Sequence, residues 1–318
     1  MNRNAFLTST PGPWRKWLLI QAAGIGLALG GVRYYFTHPQ RTVVPLPPDL
    51  GQGSEDIFRA GLDRTRLHGV WLGGRGKRTI IHHHGFGSCG GVLVTRRPVF
   101  RQPRPARGRQ AAGNDPLTAW PLIRAAQTRG YNVLLVDARA HGRSDGPWDR
   151  KGMLAATDLA GWVRWLREEQ GQEQVGLWGN SYGSVLGLIL ATWSDHGGVD
   201  AMVLDSPAIS GRGLYAGAVR KPFYWVMQPV VRTLANERLL KQIQATEVTL
   251  PILLIHGMAD THVPAWQSEE TYQVLWSAAS PTRTELWLVP GANHLEALEV
   301  APALYIERLL GWFDRWLN

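Results

Sequence analysis

Gly179-Asn180-Ser181-Tyr182-Gly183 is a Gly-x-Ser-x-Gly pattern set directly after one apolar run, Val175 to Trp178, and directly before another, Val185 to Leu190. A serine on the sharp turn between a buried strand and a helix takes strained backbone angles. Small residues two positions to either side let strand and helix approach closely enough for that turn. Such a nucleophile elbow holds the Ser181 hydroxyl at the edge of a sheet, where a substrate can reach it. Gly and Ser are common, so the pattern draws its meaning from the strand-then-helix context.

A serine hydroxyl is a weak nucleophile at neutral pH; it needs a base, and the base needs an orienting acid. Asp260 follows the apolar run Pro251 to His256, in Leu254-Ile255-His256-Gly257-Met258-Ala259-Asp260-Thr261-His262-Val263-Pro264. His294 follows the last strand, in Val289-Pro290-Gly291-Ala292-Asn293-His294. The order Ser, Asp, His, each just beyond the C-terminal end of a strand, brings all three to one edge of a parallel sheet. Asp205, ending the run Val203-Leu204-Asp205, is the alternative acid. Glu296 and Glu299 sit near His294 but share its loop or helix, a poor geometry. The competing reading of His294 is a solvated loop histidine.

A tetrahedral oxyanion needs preorganised N–H donors. The backbone amide of Tyr182, just after the serine, is one candidate. Phe86, in the turn Gly85-Phe86-Gly87 after a strand ending in His82-His83-His84, is the other. Adjacent strand residues point to opposite faces, so the three histidines cannot converge on one ion. No metal and no cofactor is expected. Cys89, the single cysteine, lies in a glycine-rich turn; it excludes an internal disulfide and is a poor nucleophile beside Ser181.

The elements that must hold these residues are written in the same alternation. Asp56–Ala60 and Leu67–Leu72 flank Asp63-Arg64 as an opening hairpin. Further strands are expected at Arg78–His83, Tyr131–Asp137, Gln174–Trp178, Ala201–Asp205, Pro251–His256 and Glu285–Val289. Leu159, Trp162, Val163 and Leu166 have i, i+3, i+4, i+7 spacing and predict an amphipathic helix. A closing helix is expected over about Ala303–Leu317. Apolar strands separated by helices mean an α/β fold: a mostly parallel sheet of about eight strands covered on both faces. Two segments break the rhythm. Residues 92–114, rich in Arg, Pro and Gly, read as a long surface loop, and 211–248 as a short helical cap or a long crossover.

The net charge of +9 suggests nucleic acid until it is located. Residues 1–33 hold Arg3, Arg15, Lys16 and Arg33, and residues 92–112 hold six arginines; neither stretch has an acid. Without those ten, 24 basic residues face 25 acidic ones, so the body is nearly neutral and no nucleic-acid partner is expected.

Residues 1–36 form a tail and hydrophobic segment, 37–53 a Pro-rich linker and 54–318 the main domain. Trp17 to Val32 is an uncharged stretch of 16 residues with Arg15 and Lys16 before it and Arg33, Tyr34, Tyr35 and Phe36 after it. That is short of the about 20 residues of a usual span, though aromatic and basic flanks extend its reach. Three readings compete: a short membrane anchor over residues 17–36, a cleaved signal peptide, or a helix packed on the domain. The anchor reading makes the protein single-pass, with a cytoplasmic N-terminus and the domain on the far side. Cleavage makes it secreted.

The motifs together resemble an α/β-hydrolase of the serine-esterase type. His84-Gly85-Phe86-Gly87 is similar to that superfamily's oxyanion turn. Asp137-Ala138-Arg139-Ala140-His141-Gly142-Arg143-Ser144-Asp145-Gly146 resembles its Asp-x-Arg-Gly-His-Gly-x-Ser loop. Gly179–Gly183, His256-Gly257 to Pro264, and Gly291 to His294 match the elbow, acid and histidine motifs. The likeness runs from about Glu55 to Asn318, nearest the small-cap branch of bacterial carboxylesterases, monoacylglycerol-lipase-like enzymes and membrane-anchored acyl hydrolases. Ala140 stands where that loop usually has Gly, and the Arg-rich insert is a second departure. The resemblance implies ester hydrolysis through an acyl-enzyme on Ser181, with a small-molecule or lipid-like ester as substrate. The same residues suit a peptidase, thioesterase or amidase, and a non-catalytic binding protein on this fold is the remaining alternative.

Overall fold

The computed structural model describes residues 13–39, 41, 43–74, 76–94, 117–149, 151–232, 235–278 and 283–318. Its strands are β1 (Glu55–Ala60), β2 (Arg66–Leu72), β3 (Arg78–His83), β4 (Val92–Val94), β5 (Leu117–Thr118), β6 (Asn132–Asp137), β7 (Gln174–Asn180), β8 (Ala201–Asp205), β9 (Ile252–Gly257) and β10 (Thr284–Val289). Its α-helices are α1 (Pro13–Thr37), α2 (Pro48–Gly51), α3 (Trp120–Thr128), α4 (Met153–Glu168), α5 (Tyr182–Ala191), α6 (Lys221–Arg232), α7 (Leu239–Gln244), α8 (Trp266–Ala278), α9 (Ala297–Val300) and α10 (Pro302–Trp316).

Eight strands form one sheet in the order β1-β2-β6-β3-β7-β8-β9-β10. Only β2 runs against the rest, pairing antiparallel with both β1 and β6. From β6 to β10 every pairing is parallel. Parallel strands covered on both faces must be apolar on both faces. Ile81 and Leu134 accordingly join the core beneath α4 and α5, with Leu159, Trp162 and Leu186. Their neighbours Ile80 and Leu135 join the opposite core beneath α3 and α10, with Ile123, Leu309 and Phe313. Each such side chain, fully withdrawn from water, contributes about 1.5–3 kcal/mol. The architecture is an α/β-hydrolase fold, an eight-stranded, mostly parallel sheet flanked by helices.

Two segments differ from the reading of the sequence. The insert expected as one loop from residue 92 begins as strand β4, paired antiparallel with β5, because Val92 and Leu93 are buried apolar side chains. Residues 95–114 of that insert lie outside the described residues. Within the 37–53 linker, α2 forms a single turn that buries Leu50. Residues 211–248 hold two short helices, α6 and α7, and Leu214, Met227 and Val231 form a small core of their own with Val263.

The hydrophobic segment is helical from Pro13 to Thr37. Among the described residues no helix is long and apolar enough to cross a membrane. On α1, Trp17, Leu18, Leu19, Ile20, Ile25 and Leu27 are exposed. The helix touches α6.

Candidate active site

Ser181 sits between β7 and α5 with φ 51° and ψ −104°, a conformation that costs about 1–3 kcal/mol and that the surrounding packing must enforce. The glycines flanking it show how. A Cβ on Gly179 would lie 2.7 Å from the Gly183 carbonyl oxygen, and one on Gly183 would lie 2.1 Å from the carbonyl oxygen of His83. Helix α5 therefore presses on both its own strand and β3. The Ser181 N–H donates to the Asp205 carbonyl at 2.8 Å, which fixes the elbow to β8.

The sheet edge brings together Ser181, Asp260 and His294. Ser181 Oγ lies 3.1 Å from His294 Nε2, and His294 Nδ1 lies 2.6 Å from Asp260 Oδ2. The Asp260 carboxylate is wholly buried, and its Oδ1 accepts the N–H groups of His262 and Val263, both at 2.8 Å. Burial alone would raise this carboxyl. The facing His294 charge and hydrogen bonds from His256 and His294 outweigh that and hold it well below the usual carboxylate range. Burial pulls His294 the other way, yet Asp260, with Asp205 and Glu296 adding to it, leaves its imidazole above the ordinary value. Such a chain of hydrogen bonds can strip a proton from a hydroxyl and hold it on the ring.

Asp205, the alternative acid, is turned elsewhere. Its Oδ1 accepts from Ser206 Oγ at 2.8 Å and its Oδ2 from the Tyr305 hydroxyl at 2.8 Å. Burial keeps its carboxyl raised in spite of those two donors.

The turn expected to supply oxyanion donors lies against the serine: a Cβ on Gly85 would fall 3.2 Å from the Ser181 Cβ. The Phe86 ring packs on Trp148 at 4.7 Å between centroids, and Trp148 meets Tyr182 edge-on at 6.0 Å. The Tyr182 hydroxyl donates to the Asp149 carbonyl, so what this residue can offer beside Ser181 is its backbone. Phe86 and Trp148 also pack on the small cluster of Leu214, Met227, Val231 and Val263, giving the site an apolar wall.

The histidine triplet braces this turn. His84 Nδ1 donates to the Gly85 carbonyl at 2.6 Å while Nε2 accepts the Ala138 N–H at 3.0 Å, joining the turn to the loop after β6. His82 instead meets Asn180 at 2.7 Å and the Gly91 N–H at 3.1 Å. Burial pushes His82 down to about 4 and His83 to about 3. Among the described residues no group of three or more His, Cys, Asp or Glu is placed to hold a metal ion. Cys89 is buried, and burial raises its thiol to about 12. Ala140, at the place usually given to Gly, takes φ 65°.

Two further residues matter that sequence reasoning passes over. Asn293 Oδ1 accepts the N–H groups of Thr261 and of His294. His256, at the end of β9, reaches the acid loop through Nε2. Both stand inside the quoted motifs, but neither residue type announces its role.

The fold has counterparts among known proteins. Residues 79–230 match the family model described as the alpha/beta hydrolase fold. The chain is similar to the uncharacterized protein YfhR of Escherichia coli O157:H7, 33% identical over 202 residues. That match covers 63% of this chain and 66% of YfhR, just under two thirds of the relative's length. It is also similar to the lysophosphatidylserine lipase ABHD12 of Danio rerio, 24% identical over 187 residues, covering 55% of this chain and 47% of that one. Among solved structures, the Pyrococcus furiosus esterase Pf2001 superposes with a TM-score of 0.67 at 24% identity, over 88% of this chain and 100% of its own.

Proposed function

We propose that this protein is a serine hydrolase that cleaves carboxylic esters through an acyl-enzyme on Ser181. The observation that carries the reading is the unbroken line from Ser181 Oγ to His294 Nε2 at 3.1 Å and from His294 Nδ1 to Asp260 Oδ2 at 2.6 Å. His294 takes the Ser181 proton as Oγ attacks the ester carbonyl carbon. The backbone N–H groups of Tyr182 and Phe86 stabilise the tetrahedral oxyanion, and His294 returns the proton to the departing alcohol. Water then repeats the sequence on the acyl-enzyme, freeing the acid and restoring Ser181. Asp260 orients the imidazole throughout.

The apolar wall of Phe86, Trp148, Leu214 and Val263 suits an apolar acyl chain. The zebrafish relative bears the name of a lipase, which points the same way. A fluorophosphonate probe should label the protein, and Ser181→Ala should abolish labelling and ester turnover. A folded protein that stays unlabelled would sink the reading. Matched p-nitrophenyl esters, thioesters and aminoacyl amides then rank the bond cleaved.

Helix α1 bears exposed Trp17, Leu18, Leu19, Ile20 and Leu27 beside Arg15, Lys16 and Arg33, with no acid. The membrane partnership of residues 17–36 is accordingly proposed as seating on an anionic lipid surface. The full chain should float with phosphatidylcholine vesicles containing phosphatidylglycerol, and a chain lacking residues 1–37 should not.

A further inference from the structure

We propose that His256 is a positioning residue for the acid, holding the Asp260 carboxylate against His294. The inference rests on the reading of Asp260 and His294 as acid and base. His256 and Ser268 are both fully buried, one at the end of β9 and the other in the first turn of α8. His256 Nε2 lies 2.9 Å from the Val263 carbonyl oxygen and 3.3 Å from Asp260 Oδ2. Both partners are acceptors only, so Nε2 carries the hydrogen. Nδ1 then accepts from Ser268 Oγ, 2.6 Å away. One tautomer satisfies every contact: the two acceptors at Nε2 select it, and the Ser268 hydroxyl turns to suit.

The consequence is a carboxylate fixed by three hydrogen-bond donors, with the His256 Nε2 hydrogen close by. Oδ1 takes the amides of His262 and Val263, and Oδ2 takes His294 Nδ1 and, at longer range, His256 Nε2. The two amides restrain Oδ1, and because both oxygens turn together about the Cβ–Cγ bond, contacts on Oδ2 narrow the remaining swing. His256 limits that swing, and through the Val263 carbonyl it ties the acid's own loop to β9. Without it Oδ2 loses its aim at His294, and the raised imidazole loses its main support. The other charged or titratable groups near this pair are Asp205 on β8, Glu296 on the His294 loop and His262 on the acid loop.

The test is the rate of fluorophosphonate labelling of Ser181 across pH 5–9, which needs no knowledge of the substrate. His256→Leu should slow labelling about 10- to 100-fold at the alkaline plateau, the cost of a misaimed group. Its acid limb should move to lower pH, since His294 then titrates nearer its ordinary value. His256→Gln, which keeps an N–H near the place of Nε2, should stay within about threefold of wild type, under 1 kcal/mol of barrier. If His256→Leu does not fold, His256→Asn, which reaches only the place of Nδ1, should show the same loss beside an active Gln variant. A limb that stays or moves up, or a Gln variant as slow as the others, overturns the inference. A wild-type protein that is not labelled at all overturns the nucleophile reading instead, and this one with it.

Discussion

Asn293 Oδ1 accepts the Thr261 N–H at 2.9 Å, so the neighbour of His294 grips the neighbour of Asp260. The same oxygen accepts the His294 N–H at 2.8 Å. Two loops from different strands are thereby joined at one atom, and the distance between Asp260 and His294 depends on it. Asn293→Ala should lower kcat about tenfold with KM little changed, because only alignment is lost. The two part-buried amides left without this acceptor should cost about 0.5–1.5 kcal/mol, read by urea denaturation.

The pH profile follows from the state of His294. Burial lowers its affinity for protons, but Asp260, Asp205 and Glu296 reverse this, leaving it above the ordinary imidazole value of 6.5. A general base works unprotonated, so kcat/KM should rise with pH and reach half its maximum above pH 6.5. Asp260→Asn removes the largest supporting charge, so the limb should shift to lower pH while kcat falls by roughly 10³- to 10⁴-fold. Asp205→Asn should shift the limb in the same direction but cost no more than about tenfold, a barrier change of about 1.4 kcal/mol. Equal losses in the two variants would return Asp205 to the role of acid.

Much of this arrangement is legible in the chain because parallel strands covered on both faces read as continuous apolar runs. Val133–Val136 and Leu253–Ile255 are such runs, each ending near a polar residue at the sheet's C-terminal edge. The order Ser181, Asp260, His294 then needs only that edge. What is not legible is spatial. That β6 lies between β2 and β3 is a non-local pairing with no local signal. Strand β4 is three residues long and shows no period, so it merges with the Arg-rich stretch beside it. His256 stands at the end of an apolar strand like any buried polar residue. Its meaning comes from the Val263 carbonyl and Asp260, which the loop brings back towards it.

The loop after β6 supports the Gly85-Phe86-Gly87 turn through His84, and Arg139 anchors that loop. The Arg139 side chain is 1% exposed, with Nε 2.7 Å and Nη2 2.9 Å from the two oxygens of Asp158. Its Nη1 lies 2.9 Å from Asp63, which is 40% exposed. A buried charge deprived of its buried partner is expensive, and an exposed partner is replaced by water. Asp158→Ala should therefore destabilise by about 3–5 kcal/mol. Asp63→Ala should cost about 0–1 kcal/mol. Urea midpoints of the two variants distinguish these values, and equal midpoints would refute the anchoring role.

The elbow itself is most sensitive at Gly183. A Cβ there would come within 2.1 Å of the His83 carbonyl oxygen and 2.8 Å of its carbon. Both are backbone atoms of a central strand, which cannot rotate away as a side chain would. Room could come only from moving α5 off β3, and that movement would carry Ser181 away from His294 and the Gly85 turn. Gly183→Ala should therefore cost more than about 3 kcal/mol, above the usual range for overpacking, and lose fluorophosphonate labelling in whatever protein still folds. Gly161, inside α4, is the matched control: nothing lies within 4 Å of its added Cβ. Gly161→Ala should stabilise by about 0.5–1 kcal/mol, the gain of removing glycine from a helix interior, with labelling unchanged. Equal tolerance at the two positions would mean that α5 can shift freely, and the strained serine could not then be held by the packing of Gly183 on β3.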